Sequence, residues 1–335
     1  MAKIAVIGSG GWGTALAIMA EKYGNAVSLW SPFEEEIASL HRHGEHKKLL
    51  PGVPVSPSIQ LTTSLECAKD VDLVIMAVPS FAVAKTAQNL AAIVKPQTVI
   101  ANAGKGLEND TFRRFTEVIR DAIPHCRPVA LSGPSHAEEV ARGVPTSICS
   151  ASTDLEAAEW VQDILMNPAF RVYVNSDVIG VELGGALKNV IALSAGVVDG
   201  LDLGDNTRAA LMTRGLAEMA RLGIAMGAKT ETFAGLSGMG DLIVTCSSMH
   251  SRNRRAGILI GEGKTPEQAV EAVGTVEGYL AARAAWALSQ KCGIEMPIVE
   301  QCYRVCYENC SPKAAIEQLM QRPKKHENEE LWLRS

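Results

Sequence analysis

The opening of the chain constrains it most. A strand-like run, KIAVIG, leads into a turn with Gly8, Gly10 and Gly13 in G-x-G-x-x-G spacing, and a helical stretch, TALAIMAEKY, follows. Strand, glycine turn and helix in that order make the first unit of a nucleotide-binding α/β sheet. In that context Gly8 permits the tight turn, Gly10 lets backbone approach a pyrophosphate, and Gly13 lets helix and strand pack closely. The anion belongs at the helix N-terminus, where unpaired N–H groups and the helix dipole favour negative charge. A dinucleotide is the expected ligand, ahead of a purely structural turn.

With 335 residues, 47% of them hydrophobic and 21% charged, the chain has the apolar content for a large core and the length for two domains. KIAVIG, AVSLW, DLVIMAV, TVIANA, PVALS, TSICSA and RVYVN read as short strands separated by helical patterns or turns, which predicts a parallel sheet covered on both faces. After about Asp177 strand signals give way to helical periodicity in VELGGALKNVIALSAGVV, TRAALMTRGLAEMARLGIAMG, PEQAVEAV and EGYLAARAAWALSQKCG. The expected architecture is an α/β Rossmann-type N-terminal domain over residues 1–178 and an all-α C-terminal domain over residues 179–335 that carries substrate binding and catalysis. The charged tail KKHENEELWLRS, residues 324–335, is expected to fray.

A formal net charge of −5 gives no reason to expect a nucleic-acid partner. The start MAKIAVIG lacks the features of a signal peptide, and no uninterrupted apolar run reaches the roughly 20 residues of a membrane span. The chain is therefore expected in the cytoplasm, with a homodimer as the default assembly. The eight cysteines are best read as reduced thiols. Cys302, Cys306 and Cys310 recur every four residues, which on one helix face would line up three thiols. Small buried side chains explain them better than a metal, which wants four ligands. His41, His43 and His46 in HRHGEH precede a proline-rich loop and read as a solvated connection.

The second strand bears on which dinucleotide is bound. A site selective for NAD places Asp or Glu at the end of that strand for the ribose hydroxyls. Here AVSLW is followed by Ser31, Pro32 and Phe33, and Glu34 comes late. With no carboxylate to repel a 2′-phosphate, NADP or NAD is expected, NADPH favoured.

Further motifs make the chain specific: VPS (78–80), NAGKGLE (102–108), LSGPSHAEEVA (131–141), GVELGGALKNVIALSAGVVDGL (180–201), GLSGMGDLIVTC (235–246), HSRNRR (250–255) and TVEGY (275–279). In this order and spacing they resemble the bacterial NAD(P)-dependent glycerol-3-phosphate dehydrogenases, from about residue 3 to about residue 320. The resemblance implies reversible reduction of dihydroxyacetone phosphate to sn-glycerol 3-phosphate for phospholipid synthesis, with Lys188 as proton donor and acceptor. It places Lys105, Gly133, Ser135, Lys188, Asp241, Ser251, Arg252 and Asn253 at the substrate, a triose phosphate. It places Gly8, Gly10, Gly11, Trp12, Gly13, Lys105, Ala137, Arg252, Thr275 and Glu277 at the cofactor, and no metal. Three departures stand out. Gly11 replaces a frequent serine, Pro32 replaces a frequent His or Arg near the adenosine end, and the stretch before Glu277 is one residue shorter than usual.

The residues themselves agree. Three, four and seven positions from Lys188 lie Gly185, Ile191, Gly184, Ala192, Val181 and Ala195, so its amine is expected to enter a hollow among small side chains rather than reach solvent. A lysine acting as base near neutral pH needs its pKa brought well below about 10.4, by desolvation and a second cation. Lys105, between Gly104 and Gly106, is the candidate neighbour. Asp241 reads equally as a helix N-cap and as the orienter of Lys188, with Asn189 and Thr245 as further orienters. In SRNRR, Arg252 can grip a phosphate with two parallel hydrogen bonds while Ser251 and Asn253 add donors.

Two other readings share these features. A β-hydroxyacid or ketopantoate-type dehydrogenase also joins a Rossmann domain to a helical one and uses a helix lysine. A dinucleotide-sensing regulator would use the helical half as a partner platform.

Overall fold

The structure, a computed structural model, describes residues 1–324, 326 and 327. Most of the tail expected to fray therefore lies outside the described residues. Packing divides the chain into two units, residues 1–104 with 113–178, and residues 105–112 with 179–335.

The first unit is built on an eight-stranded sheet. Its strands are β1 (Lys3–Ile7), β2 (Ala26–Trp30), β3 (Gln60–Thr62), β4 (Leu73–Met76), β5 (Val99–Asn102), β6 (Arg127–Ser132), β7 (Thr146–Ala151) and β8 (Phe170–Asn175), in the order β3-β2-β1-β4-β5-β6-β7-β8. Alternate residues of one strand enter different cores: Ile4 and Val6 pack with the helix Gly11–Lys22, while Ala5 and Ile7 pack with the helices Val83–Leu90 and Phe115–Ala122. A sheet buried on both faces needs near-continuous apolar strands, which is why these segments are legible as runs. The short β3 carries no such run.

The sheet departs from the expected parallel arrangement at one place. β7 pairs antiparallel with β6, and β8 then runs parallel to β7. The link from β6 to β7 contains only a five-residue helix, Ala137–Ala141, which packs on the helix Gly11–Lys22 instead of covering a crossover. Without a crossover the returning strand can pair only head to tail with its neighbour.

The second unit is helical. Val178–Gly200, Gly204–Ala225, Arg252–Gly261, Glu277–Cys292 and Pro297–Tyr307 surround one apolar core. Val178–Gly200 is long and apolar enough to cross a membrane, but 89% of its most apolar window is buried in the protein, as befits a central core helix. Close backbone approach explains its glycines. A Cβ at Gly196 would fall 2.1 Å from the Arg254 carbonyl oxygen, and one at Gly257 on the facing helix 2.1 Å from that of Leu193. Serine and proline mark the helix starts: Ser251 and Ser311 cap theirs, and Pro266, Pro297 and Pro312 occupy first turns.

All eight cysteines are free. Cys302 and Cys306 are buried on the helix Pro297–Tyr307, but that helix ends before Cys310, so three thiols do not share one helix face.

Candidate active site

In the helical unit four side chains converge. Lys188 Nζ donates to Asp241 Oδ1 at 2.9 Å and to Thr245 Oγ1 at 2.6 Å, and Lys105 Nζ pairs with Asp241 Oδ2 at 2.8 Å. Lys188 is 5% exposed and Asp241 1%, so this is a buried carboxylate shared by two amines. Asp241 is the first residue of the helix Asp241–Ser247, where a negative charge suits the dipole. The cap is Gly240, without a side-chain bond, so of the two roles open for Asp241 the structure shows the contact with Lys188.

Lys188 turns inward from solvent, and one of the small residues near it also admits a neighbouring backbone. A Cβ at Gly184 would lie 2.6 Å from the Ser237 carbonyl oxygen, so the turn Leu236–Gly240 rests directly on the helix one turn before Lys188 and delivers Asp241 to it. Burial pushes the Lys105 amine down to about 8; Asp241 opposes that and the Lys188 charge adds to it. For Asp241, burial favours the neutral acid, but Lys105 and Lys188 outweigh it and hold the carboxyl below the usual range.

Asn189 ties a second group of residues to this cluster. Asn253 Nδ2 donates to Asn189 Oδ1 at 2.9 Å, the Gly278 N–H donates to Asn253 Oδ1 at 2.8 Å, and Asn189 Nδ2 returns to the Gly185 carbonyl. Ser251 spends its oxygen on the Arg254 N–H, and Arg254 is held by Asp199 at 2.7 Å. Arg252, beside them, is exposed. Glu277 begins the helix Glu277–Cys292, with the half-buried Thr275 two residues before it.

In the first unit the glycine turn has the form of an anion cradle. Gly8 has φ +118°, and a Cβ on it would lie 2.6 Å from the Ala77 carbonyl oxygen. At Gly13 a Cβ would fall 1.9 Å from the Gly8 carbonyl oxygen, whereas at Gly10 it would meet nothing within 4 Å. The first two close the turn against the sheet and Gly10 opens it outward. The helix Gly11–Lys22 starts with no side-chain cap and no acidic residue in its first turn, which fits a bound pyrophosphate. Trp12 and Ala137 both pack against the core on the same side of the sheet as the helix Gly11–Lys22, and a Cβ at Gly11 would touch Leu49 at 3.4 Å. Gly133, with φ +139°, lies against Ile148, and Ser135 Oγ donates to its carbonyl at 2.9 Å.

Two expectations are corrected here. His46 is not part of a solvated connection: it is buried, and its Nε2 faces Glu36 Oε1 at 3.3 Å. Nor does the region after the second strand lack a carboxylate. Ser9 and Ser31 both donate their hydroxyls to Glu36 Oε2. Burial works against the Glu36 charge, but hydrogen bonds from His46, Ser31 and Ser9 outweigh it and hold the carboxyl at about 2. The signal was present in the sequence: a helix starting at Glu34 turns its third residue back toward the strand it follows.

Comparison with known proteins gives the family. Residues 3–158 match the family model described as NAD-dependent glycerol-3-phosphate dehydrogenase N-terminus, and residues 177–317 match that of the C-terminus. The chain is 51% identical to glycerol-3-phosphate dehydrogenase [NAD(P)+] of Desulfitobacterium hafniense, over 99% of this chain and 95% of that one. It is 52% identical to the Moorella thermoacetica protein of the same name, over 97% and 98% of the two chains. Among solved structures, glycerol-3-phosphate dehydrogenase from Coxiella burnetii superposes with a TM-score of 0.92 at 38% identity, covering 96% of this chain and 99% of that one.

Proposed function

The chain belongs to the NAD-dependent glycerol-3-phosphate dehydrogenase family, and from that premise we propose that Lys188 is the group that moves the proton in its reaction. The enzyme interconverts dihydroxyacetone phosphate and sn-glycerol 3-phosphate with NAD or NADP, supplying glycerophospholipid synthesis. The nicotinamide, when bound, supplies or accepts the hydride.

The observation that carries the assignment is the bonding of Lys188 Nζ. Thr245 gives its own proton to the Asp241 backbone carbonyl at 2.6 Å, so toward Lys188 it acts as acceptor. Asp241 Oδ1 takes a second Nζ proton. One position of the tetrahedral nitrogen then remains to give a proton to the carbonyl oxygen as it becomes an alcohol, and to take it back in reverse. Asp241 positions Lys188 and Lys105 and balances their charge. Lys105 is the second cation near the developing oxyanion.

Arg252 is the phosphate ligand, with Ser251, Asn253, Gly133 and Ser135 completing substrate recognition. Gly8, Gly10, Gly11, Trp12, Gly13 and Ala137 form the dinucleotide cradle, and Thr275 and Glu277 are further cofactor contacts. A substrate that carries a phosphate favours this over the phosphate-free hydroxyacid reading.

The test is turnover. Lys188→Ala should lower kcat for dihydroxyacetone phosphate by about 10²- to 10⁴-fold, the usual worth of a general acid, while still binding NADH. Turnover at the native rate would remove Lys188 from the mechanism.

A further inference from the structure

We propose that Glu36 reads the adenosine ribose of the coenzyme and sets its choice toward NAD(H) over NADP(H). This rests on the glycine turn being the pyrophosphate cradle, and it reverses the preference for NADPH that the strand end alone suggests.

In a dinucleotide fold the ribose is read by a carboxylate at the end of the second strand, close to the glycine turn. No acidic residue occupies that strand end here, but Glu36 reaches both landmarks from the following helix, Glu34–His43. It accepts from Ser31, the residue directly after β2, and from Ser9, the residue between the first two glycines of the turn. The two hydroxyls fix the carboxylate where the first and second strands end side by side.

Its remaining bonding capacity points to a ligand. Both serines use Oε2. Among the described residues Oε1 has one contact, His46 at 3.3 Å, and the side chain is 29% exposed. A carboxylate oxygen accepts from more than one donor, so Oε1 has room for a ribose hydroxyl. A 2′-phosphate would instead bring a second anion against a carboxylate held ionised by three hydrogen bonds. At the strand end Ser31, Pro32 and Phe33 carry no charge to offset it, and the imidazole of His46 is already turned to Glu36.

The experiment is calorimetric titration of the full chain, without substrate, with ADP-ribose and with 2′-phospho-ADP-ribose. The native protein should bind ADP-ribose tighter by about tenfold or more, since opposed like charges are costly at a binding site. In Glu36→Gln the ratio should close to within about threefold, chiefly through tighter binding of the phosphorylated ligand. Should that variant fail to melt cooperatively, Glu36→Ser, which also removes the charge, takes its place with the same expected ratio. Equal affinities, or a preference for the phosphorylated ligand, in the native chain would overturn the assignment, as would an unchanged ratio in the uncharged variant. Those results leave the cradle standing; binding of neither ligand would overturn the cradle as well.

Discussion

Thr245 accepts a hydrogen bond from Lys188 at 2.6 Å although 57 positions separate them in the chain. The direction of that bond is fixed by Thr245 donating back one helical turn to the Asp241 carbonyl. Thr245 thus holds the amine without competing for its lone pair.

Thr245→Val keeps the shape of the side chain and removes the acceptor. Hydrogen bonds to charged groups contribute about 1.5–3 kcal/mol, so kcat should fall by roughly 10- to 100-fold with the KM for dihydroxyacetone phosphate little changed. Thr245→Ser, which keeps the acceptor, should retain most of the native rate. A rate in Thr245→Ser as low as in Thr245→Val would reduce Thr245 to a packing residue.

Asp241→Asn leaves the buried Lys188 and the half-buried Lys105 without their shared carboxylate. Breaking a buried ion pair from one side costs about 3–5 kcal/mol, and here both Lys105 and Lys188 lose the carboxylate they share. Urea unfolding should show a loss of that order. Replacing Lys105 by Met in the same chain should recover part of it, because the repulsion between the Lys105 and Lys188 charges is removed. If the two changes simply add, the three groups are not coupled.

How much of this was readable beforehand depended on whether a feature is local. The glycine turn announces itself because Gly8, Gly10 and Gly13 do their work within one strand, one turn and one helix. Lys188 stands out locally from its small neighbours, but the role of Gly184 does not, because Ser237, some fifty residues on, is what packs against its backbone. Glu36 is hidden from a reading of strand ends, because helix phase is what brings the third residue of the next helix back to Ser9 and Ser31. The antiparallel β7 was hidden because an apolar strand reads alike in either direction.

Arg252→Ala tests the phosphate ligand. Arg254, two residues on, is held by Asp199 and the Ser247 carbonyl, whereas Arg252 is exposed on the first turn of the same helix. Loss of a charge-assisted contact of about 1.5–3 kcal/mol should raise the KM for dihydroxyacetone phosphate by roughly 10- to 100-fold. The melting temperature should hardly change, as expected for an exposed side chain. An unchanged KM would move the phosphate elsewhere.

Glu218 should make the stability of the helical unit depend on pH. It lies within the helix Gly204–Ala225, is 2% exposed, and accepts the N–H groups of Ile298 and Val299 at the start of the helix Pro297–Tyr307. Burial pushes its carboxyl up from 4.5 to about 7, against the pull of those two N–H groups and of Arg221 and Arg322. Between those two values the native chain holds a proton that the unfolded chain has lost, so stability must fall as pH rises through that window. The full difference corresponds to about 3 kcal/mol. Native protein should therefore lose stability relative to Glu218→Gln between pH 5 and pH 8, measured by urea unfolding at each pH. A gap between the two proteins that stays flat across that range would mean the carboxyl is ionised throughout, with the two backbone donors prevailing over burial.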